Sequence, residues 1–455
     1  MKSSNIQSIV ATSPPYRLVG AGAGGGHLGP PAAWRPRALA WAARHSRLLL
    51  TVCFLAAICF LFSASYTTPL LRMSLDDSEM MVFLGNGTEQ GVYSCRRREH
   101  IFFMKTHKCA SSSLQNIFLR YGDKHNLTIA LPLTNTNYFG HPAYFNHAML
   151  VPEGTGKRHQ PVGYSIFASH TRFHRVEARK VMPPDTLYVT ILRDPVSLYG
   201  SMYSYYDLNT EYKLSLQDLV QLHRDPLDPI YRARRFNKFG LNQMAFDLGL
   251  SASMFRNAAM VDRFIRRLDE TFDLVLIAER LPESLVLLRY LLCWDVDDVV
   301  LFKKNARSTS FKKSEEQLTP QDVKTLRTLN AADQRIYDYF NAKLTEKVQR
   351  FGEQRMAEEK ALLESRMKYW FDECVGEVKK VENEEIAKKR HIYSKKVMYF
   401  EERTGADPEC QRLLREELAY IALLREKQSY IHYNITKLAS APPPPPAANG
   451  SKRRT

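Results

Sequence analysis

The chain has 455 residues, a length that allows two or three domains. Apolar residues make up 44% of it and charged residues 25%, which excludes the wholly disordered and the fibrous classes of protein. Lysine and arginine (64) outnumber aspartate and glutamate (48), and the formal net charge of +16 favours an anionic partner, such as nucleic acid, anionic lipid, or a cofactor that carries phosphate or sulfate. Seven cysteines without a CxxC pair argue against a disulfide scaffold and against a structural zinc module.

The N-terminal region has the pattern of a membrane anchor. Residues 1–47 contain six lysines or arginines and no acidic residue, and they predict a basic cytosolic tail. The following stretch, residues 48–64, has no charge, and as a helix it would be about 25 Å long. We therefore predict a single-pass transmembrane signal anchor here, with the remaining chain in the lumen of the secretory pathway. A cleaved signal peptide and a buried core helix are the alternatives.

The part of the chain after the anchor has features that suit a lumenal location. Residues 65–94 are polar and predict a stem between the anchor and a folded domain. Five cysteines follow the anchor, and in an oxidising compartment an odd number leaves at least one thiol free or paired with another chain. Four acceptor patterns for N-glycosylation also follow it, at Asn86, Asn126, Asn434 and Asn449.

Short apolar segments alternate with helical patterns from Arg96 onward. The alternation predicts an α/β fold with a parallel sheet that is covered by flanking helices on both faces. The strand candidates are short apolar runs, several of them rich in β-branched residues or bounded by Gly or Pro. They are Ile101–Met104, Ser165–Ser169, Leu187–Leu192 and Phe272–Ala278.

No further strands are expected after Thr319. A helical pattern begins at Pro320 and continues to about Gln428 with many charges of both signs, so we predict a helical extension at residues 352–440. A packed extension and a solvated stalk fit this pattern equally well. Residues 441–455 form a proline-rich tail that we expect to be disordered.

The segment Ile101–Phe118 has the pattern of an anion-binding loop. A strand leads into a loop of small polar residues that contains Lys105 and Lys108, and a helix follows. Such a loop directs backbone N–H groups and the positive end of a helix dipole at one point, and a lysine adds a full charge. An ordinary capped helix is the alternative, since the triphosphate-binding pattern GxxxxGK[ST] is absent. The expected hydroxyl donors and helix N-cap are Ser111, Ser112 and Ser113.

A second candidate anion site follows the strand Leu187–Leu192. Arg193 comes directly after this strand, at the edge of the sheet where ligands of open α/β folds bind. Asp194 and Pro195 begin a helix that carries Ser201 two turns later. An arginine can hold a phosphate with two hydrogen bonds, and a serine can add a third. A pair of Arg193 and Asp194 that only caps the helix is the alternative.

The order strand–KxxKxxSSS–helix and then strand–RDP–x5–S resembles the sulfotransferases that use 3′-phosphoadenosine 5′-phosphosulfate. Three segments are similar in sequence to the galactose-3-O-sulfotransferase family, which includes galactosylceramide sulfotransferase. They are KTHKCASSS (105–113), SHTRF (169–173) and ESLVLLRYLLCWDVDDV (283–299). The resemblance covers roughly residues 95–351 and extends more weakly to Cys410. It implies a sulfotransferase catalytic domain at residues 95–351 with the P-loop-like fold of these enzymes, in a single-pass type II protein of the Golgi membrane.

The resemblance also implies a reaction, in which a sulfuryl group passes without a metal to the 3-hydroxyl of galactose on a glycolipid such as galactosylceramide, or on a glycan. Nucleic acid would not be a partner. Lys108 matches the lysine that contacts the bridging oxygen of the donor, and His170 matches a histidine that acts as the base at the acceptor hydroxyl. Arg193 and Ser201 match the pair that holds the 3′-phosphate. The other donor-binding loop positions are Cys109, Ala110, Ser111, Ser112 and Ser113.

Matches to family cysteines imply two disulfides, Cys95–Cys293 and Cys374–Cys410, and leave Cys109 free at a position where threonine is usual.

Three other functions stay open at this point. They are a sulfotransferase for glycosaminoglycans, a nucleotide kinase, and a non-catalytic membrane protein that binds anionic glycans. The identity of the acceptor galactoside and the oligomeric state cannot be deduced from the sequence.

Overall fold

The structure is a computed structural model that describes residues 95–133, 136–150, 163–222, 229–303, 318–392 and 397–439. The predicted basic tail, signal anchor, stem and proline-rich tail lie outside these residues. Among the helices in the described ranges, none is both long and apolar enough to cross a lipid bilayer.

Strands are concentrated in the first half of the described chain, and long helices in the second. The strands are β1 (Ile101–Met104), β2 (Ile129–Ala130), β3 (Tyr138–Tyr144), β4 (Ile166–Phe167), β5 (His170–Arg172), β6 (Leu187–Leu192), β7 (Leu274–Ile277), β8 (Val375–Lys380) and β9 (Met398–Glu402). The helices are α1 (Ser111–Lys124), α2 (Arg175–Arg179), α3 (Pro195–Tyr205), α4 (Asn209–Tyr212), α5 (Leu216–Gln221), α6 (Gln243–Asp247), α7 (Ala258–Asp269), α8 (Leu281–Leu292), α9 (Pro320–Leu329), α10 (Ala331–Phe351), α11 (Glu353–Cys374), α12 (Glu384–Lys389), α13 (Glu409–Leu414) and α14 (Glu417–Ala439).

A five-stranded parallel sheet forms the centre of the fold, with the strand order β2-β4-β1-β6-β7. Every residue of β1, β6 and β7 is buried. Because successive side chains of a strand point to opposite faces, this burial means that both faces of the sheet are covered. Helix α1 contacts β4, while α8 and α10 contact β7. The predicted α/β class, a parallel sheet with flanking helices, is confirmed.

The pairing of β1 with β6 sets the position of the two candidate anion-binding segments. Ile101 lies opposite Leu187, and Met104 lies opposite Thr190. Since parallel strands end at the same edge of a sheet, the segments that follow β1 and β6 begin side by side. The first segment leads into α1 and the second into α3.

Two further strand pairs lie outside the central sheet. Strands β3 and β5 are parallel, with Tyr138 opposite His170. Strands β8 and β9 are antiparallel, so the expectation of no strands after Thr319 is wrong. Strand β8 is largely exposed, β9 is mostly half-buried, and both contain charged residues; Lys379 pairs across them with Glu401 at 2.6 Å. Little apolar alternation therefore marks them in the sequence.

The C-terminal helix α14 packs against α1, so this part of the extension does not stand free as a stalk. Gln428 holds both main-chain groups of Ile129 on the edge strand β2. The Ile129 N–H donates to Gln428 Oε1 at 2.7 Å, and Gln428 Nε2 donates to the Ile129 carbonyl at 3.1 Å. Lys427 forms an ion pair with Asp123 of α1. The Gln428 side chain thus occupies the hydrogen-bonding place of a neighbouring strand.

Two disulfides join segments that are distant in the sequence. Cys95–Cys293 ties the residues before β1 to the end of α8, and Cys374–Cys410 ties the end of α11 to α13. Cys109 is buried and free. Both pairings and the free thiol agree with what the family resemblance implies.

Candidate active site

The loop between β1 and α1 turns sharply without a glycine. Lys108 and Ala110 both have left-handed backbone conformations, with φ of 57° and 60°. Ala110 is the N-cap of α1 and provides no side-chain cap, so the expectation that a serine caps this helix is wrong. Ser111 instead donates its hydroxyl to the carbonyl of Thr106. The start of α1 therefore has no capping side chain, an arrangement that suits the binding of an anion by helix N–H groups.

Arg193 and Lys108 meet at the carboxyl edge of the sheet. Arg193 Nη1 donates a hydrogen bond to the Lys108 carbonyl oxygen at 3.0 Å. The Lys108 Nζ lies 3.5 Å from the centre of the Tyr205 ring, a distance typical of a cation–π contact. Thr106 Oγ1 donates to the Ile191 carbonyl of β6 at 2.6 Å and so ties the loop to the strand. The structure thus brings together the two segments that the sequence singles out as anion-binding.

Asp194 caps α3 without Arg193. Its carboxylate accepts a hydrogen bond from the Ser197 N–H at 3.0 Å and pairs with Arg327 of α9 at 2.8 Å. The alternative in which Arg193 and Asp194 form only a helix cap therefore does not describe the site. Ser201 lies further along α3 and is buried.

Lys105 is buried in an ion pair. Its Nζ lies 2.8 Å from Glu417 Oε1 at the start of α14 and donates to Gln115 Oε1 at 2.9 Å. Burial lowers the pKa of Lys105, and the neighbouring Glu417 opposes this shift. The charge of Lys105 is thus compensated inside the protein, whereas Lys108 is partly exposed.

Cys109 lies within the loop and is wholly buried. Its Sγ donates to the carbonyl of His107 at 3.3 Å. Burial raises the pKa of this thiol, which keeps it protonated and poorly nucleophilic. The next loop positions differ in exposure, since Ser112 is half-buried while Ser111 and Ser113 are buried.

His170 stands at the start of β5 with its ring stacked on that of His107. The two ring centres are 4.1 Å apart, and the planes differ by 9°. His170 Nδ1 lies 3.0 Å from the Lys105 carbonyl oxygen, a contact that suits the tautomer with its proton on Nδ1. Burial lowers the pKa of His170 well below its usual value, and His107 and Lys105 add to this shift. His170 is therefore a neutral imidazole whose basic nitrogen is Nε2.

A buried cluster around Asp247 is the part of the site that the sequence analysis missed. Asp247 Oδ2 accepts a hydrogen bond from the His107 N–H at 2.9 Å and lies 2.8 Å from Nδ1 of the same residue. Its Oδ1 lies 3.3 Å from His141 Nε2 and accepts from Gln243 Nε2 at 2.8 Å. Burial alone would raise the pKa of Asp247, but the interactions with His107 and His141 outweigh it and hold the pKa below its ordinary value.

His107 has the arrangement of an oriented base. Asp247 engages its Nδ1, while its Nε2 is buried and has no hydrogen-bond partner among the residues that the structure describes. A histidine held by a carboxylate at one nitrogen offers the other nitrogen for proton transfer. The only signal in the sequence was the position of His107 beside Lys108 in KTHK.

The same cluster also has the composition of a metal site. One ligand atom each of His107, His141 and Asp247 lies within 4.8 Å of the other two. Both carboxylate oxygens of Asp247 contact imidazole nitrogens, so a metal ion would have to displace these contacts. A reaction without a metal stays a prediction from the family resemblance.

The chain matches known proteins over most of its length. A family model described as galactose-3-O-sulfotransferase matches residues 30–428. Galactosylceramide sulfotransferase of Bos taurus is 38% identical over 282 residues, which cover 61% of this chain and 64% of that protein. Galactosylceramide sulfotransferase of Mus musculus is 34% identical over 350 residues, which cover 74% of this chain and 80% of that protein. Galactose-3-O-sulfotransferase 3 of Mus musculus is 38% identical over 283 residues, which cover 61% of this chain and 63% of that protein. The chain thus spans slightly less than two thirds of the length of the first and third of these relatives.

Proposed function

The chain belongs to the galactose-3-O-sulfotransferase family, and from this premise we propose that it transfers a sulfuryl group from 3′-phosphoadenosine 5′-phosphosulfate to the 3-hydroxyl of a galactose residue. The observation that carries the proposal is the hydrogen bond from Arg193 to the Lys108 carbonyl. It joins two segments with anion-binding character at one edge of the sheet. A donor with phosphate groups at both ends of one nucleoside needs such a pair of neighbouring anchors.

The chain has suitable groups for the two ends of this donor. The uncapped start of α1 and the part-exposed Lys108 suit the 5′-phosphosulfate. Arg193 and Ser201 would hold the 3′-phosphate, since a guanidinium can form two hydrogen bonds with one phosphate. The bound donor supplies the sulfuryl group. Lys108 and the loop N–H groups would stabilise the negative charge that grows on the departing phosphate.

A neutral histidine would take the proton from the acceptor hydroxyl. We assign this role to His170, because its Nδ1 contact with the Lys105 carbonyl leaves Nε2 as the basic nitrogen. His107 competes for the role, because Asp247 holds its Nδ1 and its Nε2 is unpartnered within the described part of the chain. The two rings are stacked, so either could serve one acceptor position.

Galactosylceramide and galactose-terminated glycans are the acceptors that we propose. The relatives are a galactosylceramide sulfotransferase and a galactose-3-O-sulfotransferase, which supports a galactoside acceptor without selecting one. We place the activity in the Golgi membrane, with a type II orientation, on the basic tail and apolar segment of the sequence. Fluorescence co-localisation and protease protection of a C-terminal tag would test this placement.

The assay uses the full-length protein in detergent with labelled donor and three acceptors: galactosylceramide, lactose and heparan sulfate. We expect labelled product from one or both galactosides, and linkage analysis should place the sulfate on O3 of galactose. Lys108→Ala should reduce transfer by about 10²–10⁴-fold. Lys368→Ala, at a side chain that is 77% exposed on α11, is the matched control. Label on heparan sulfate alone would contradict the galactose assignment, and transfer to no acceptor would contradict the sulfotransferase.

A further inference from the structure

A tight turn at residues 235–238 holds a phenylalanine in a left-handed backbone conformation. Phe236 and Asn237 have φ of 55° and 56°. The Lys238 N–H donates to the Arg235 carbonyl at 3.0 Å, and Arg235 and Phe239 exchange two backbone hydrogen bonds of 2.8 and 3.1 Å. Positive φ at both central positions is the type I′ geometry, which favours Gly, Asn and Asp. Asn237 suits its position, whereas Phe236 is strained.

Burial of the Phe236 side chain does not offset the backbone strain. Its side chain is 67% exposed, more than that of any other large apolar residue in the described ranges. Its ring centre lies 4.7 Å from the guanidinium carbon of Arg235, which holds the ring in place. Strained residues of this kind persist mainly at functional sites, where the surrounding structure imposes the conformation. Neither burial nor backbone preference accounts for phenylalanine at this position.

The turn packs against His107 and against the aromatic ring that stacks on His170. The ring of Phe239 meets the ring of His107 edge-on at 5.2 Å. Lys238 Nζ lies 5.5 Å from the Tyr138 ring, and that ring stacks on His170 at 4.9 Å. Phe236 thus belongs to a turn that contacts His107 through Phe239 and lies near His170 only through the Tyr138 ring.

A chain of hydrogen bonds holds the turn in this position. Arg234 donates to the Lys238 carbonyl at 3.1 Å, to the Leu241 carbonyl at 2.7 Å and to Gln243 Oε1 at 2.6 Å. Gln243 in turn donates to Asp247 Oδ1 at 2.8 Å. Asp247, which orients His107, therefore also holds the glutamine that supports the turn. These hydrogen bonds fix the position of the turn beside the site.

We propose that Phe236 binds the acceptor, as the platform on which the apolar face of the galactose ring stacks. The inference rests on the proposed function and adds a residue to it. One face of galactose presents C–H groups, whose partial positive charge suits the negative face of an aromatic ring. The 3-hydroxyl is equatorial and leaves the sugar at its edge. A galactose ring that lies flat on Phe236 would therefore still present this hydroxyl sideways, at the edge of the stack.

The test compares three variants of the full-length protein. Phe236→Asn removes the ring and introduces a residue that tolerates positive φ, so the fold should be kept and the melting temperature should be equal or higher. Phe236→Tyr keeps the ring. Val176→Ala, at another exposed apolar side chain (62%), is the matched control. The measurements are KM for methyl β-galactoside and for the donor, and Kd for methyl β-galactoside in the presence of 3′-phosphoadenosine 5′-phosphate.

Phe236→Asn should raise both KM and Kd for methyl β-galactoside about three- to tenfold and leave the donor KM unchanged. Phe236→Tyr and Val176→Ala should retain the values of the unmodified protein. An unchanged galactoside KM and Kd in Phe236→Asn would overturn the inference. A lack of transfer by the unmodified protein would instead overturn the proposed function, and the Kd comparison would still decide whether Phe236 binds galactose.

Discussion

Lys105 of the loop between β1 and α1 and Glu417 of the C-terminal helix form a buried ion pair, with Nζ and Oε1 2.8 Å apart. Gln115 accepts from the same ammonium group and donates to Asn137 at 2.7 Å. The Asn137 carbonyl accepts from the His170 N–H at 2.9 Å. A continuous path of polar contacts therefore leads from the C-terminal helix to the predicted base. The extension supports the site and is not an appendage to it.

Glu417→Ala should destabilise the protein strongly, because it leaves the Lys105 ammonium buried without its counter-ion. Loss of one partner of a buried pair costs about 3–5 kcal/mol of unfolding free energy. Glu417→Gln should cost less, since it keeps a hydrogen-bond acceptor. Urea unfolding measures both. Glu426→Ala, at an exposed position of the same helix, is the control, and a loss in Glu417→Ala no larger than in this control would contradict the prediction.

Asp247→Asn should reduce kcat about 10²-fold or more, since the amide has one oxygen acceptor where the carboxylate has two and cannot keep its contacts with both His107 and Gln243. Nitrogen chemical shifts of the His107 ring should show a change of tautomer, which a purely structural role would not produce. Asp333→Asn is the control, because Asp333 is equally buried and accepts from the Met244 and Ala245 N–H groups of α6 without touching a histidine. If both variants lose kcat equally, Asp247 does not orient the base.

Replacement of His170 tests the predicted base directly. His170→Ala should reduce turnover by about 10²–10⁴-fold with little effect on the donor KM. His107→Ala is measured in parallel, and His391→Ala, at an exposed histidine, serves as the control. Near-normal turnover of His170→Ala, together with a large loss in His107→Ala, would move the assignment to His107.

The buried histidines predict a loss of stability in mild acid. Burial lowers the pKa of His141 from 6.5 to about 4, and it lowers the pKa of His170 as well. These two histidines therefore bind fewer protons in the folded protein than in the unfolded chain below pH 6.5. As the pH falls from 6.5 to about 4, their contribution to the free energy of unfolding should decrease, against an opposite contribution from Asp333, whose pKa burial raises to about 7. The decrease should be less steep in His141→Asn, and a free energy that is constant over this window would refute the explanation.

The central strands were predictable because burial on both faces leaves a continuous apolar run in the sequence. The predicted and observed bounds of β1 and β6 are identical, at Ile101–Met104 and Leu187–Leu192. Arg193 follows from the same logic, since a residue just after a buried parallel strand must stand at the ligand-binding edge. The apolar pattern was too weak for β8, where most positions are exposed, and for β9, which is short and has a single buried residue.

Side-chain contacts between residues far apart in the chain could not be predicted, because no local sequence pattern marks them. His107 and Asp247 are 140 positions apart, and no periodicity relates them. Lys105 resembles Lys108 in the sequence, but only the folded chain places Glu417 against one of them and leaves the other partly exposed. The strained conformation of Phe236 was equally hidden, because the preferred residues of its turn type do not include phenylalanine.

The two hydrogen bonds between Gln428 and Ile129 also have a consequence for C-terminal truncation of this protein. β2 has only two residues and lies at the rim of the sheet, where bare main-chain groups would recruit strands of other molecules. A truncated chain that ends before residue 428 would uncover this rim. We therefore expect such a product to self-associate through the exposed edge of β2.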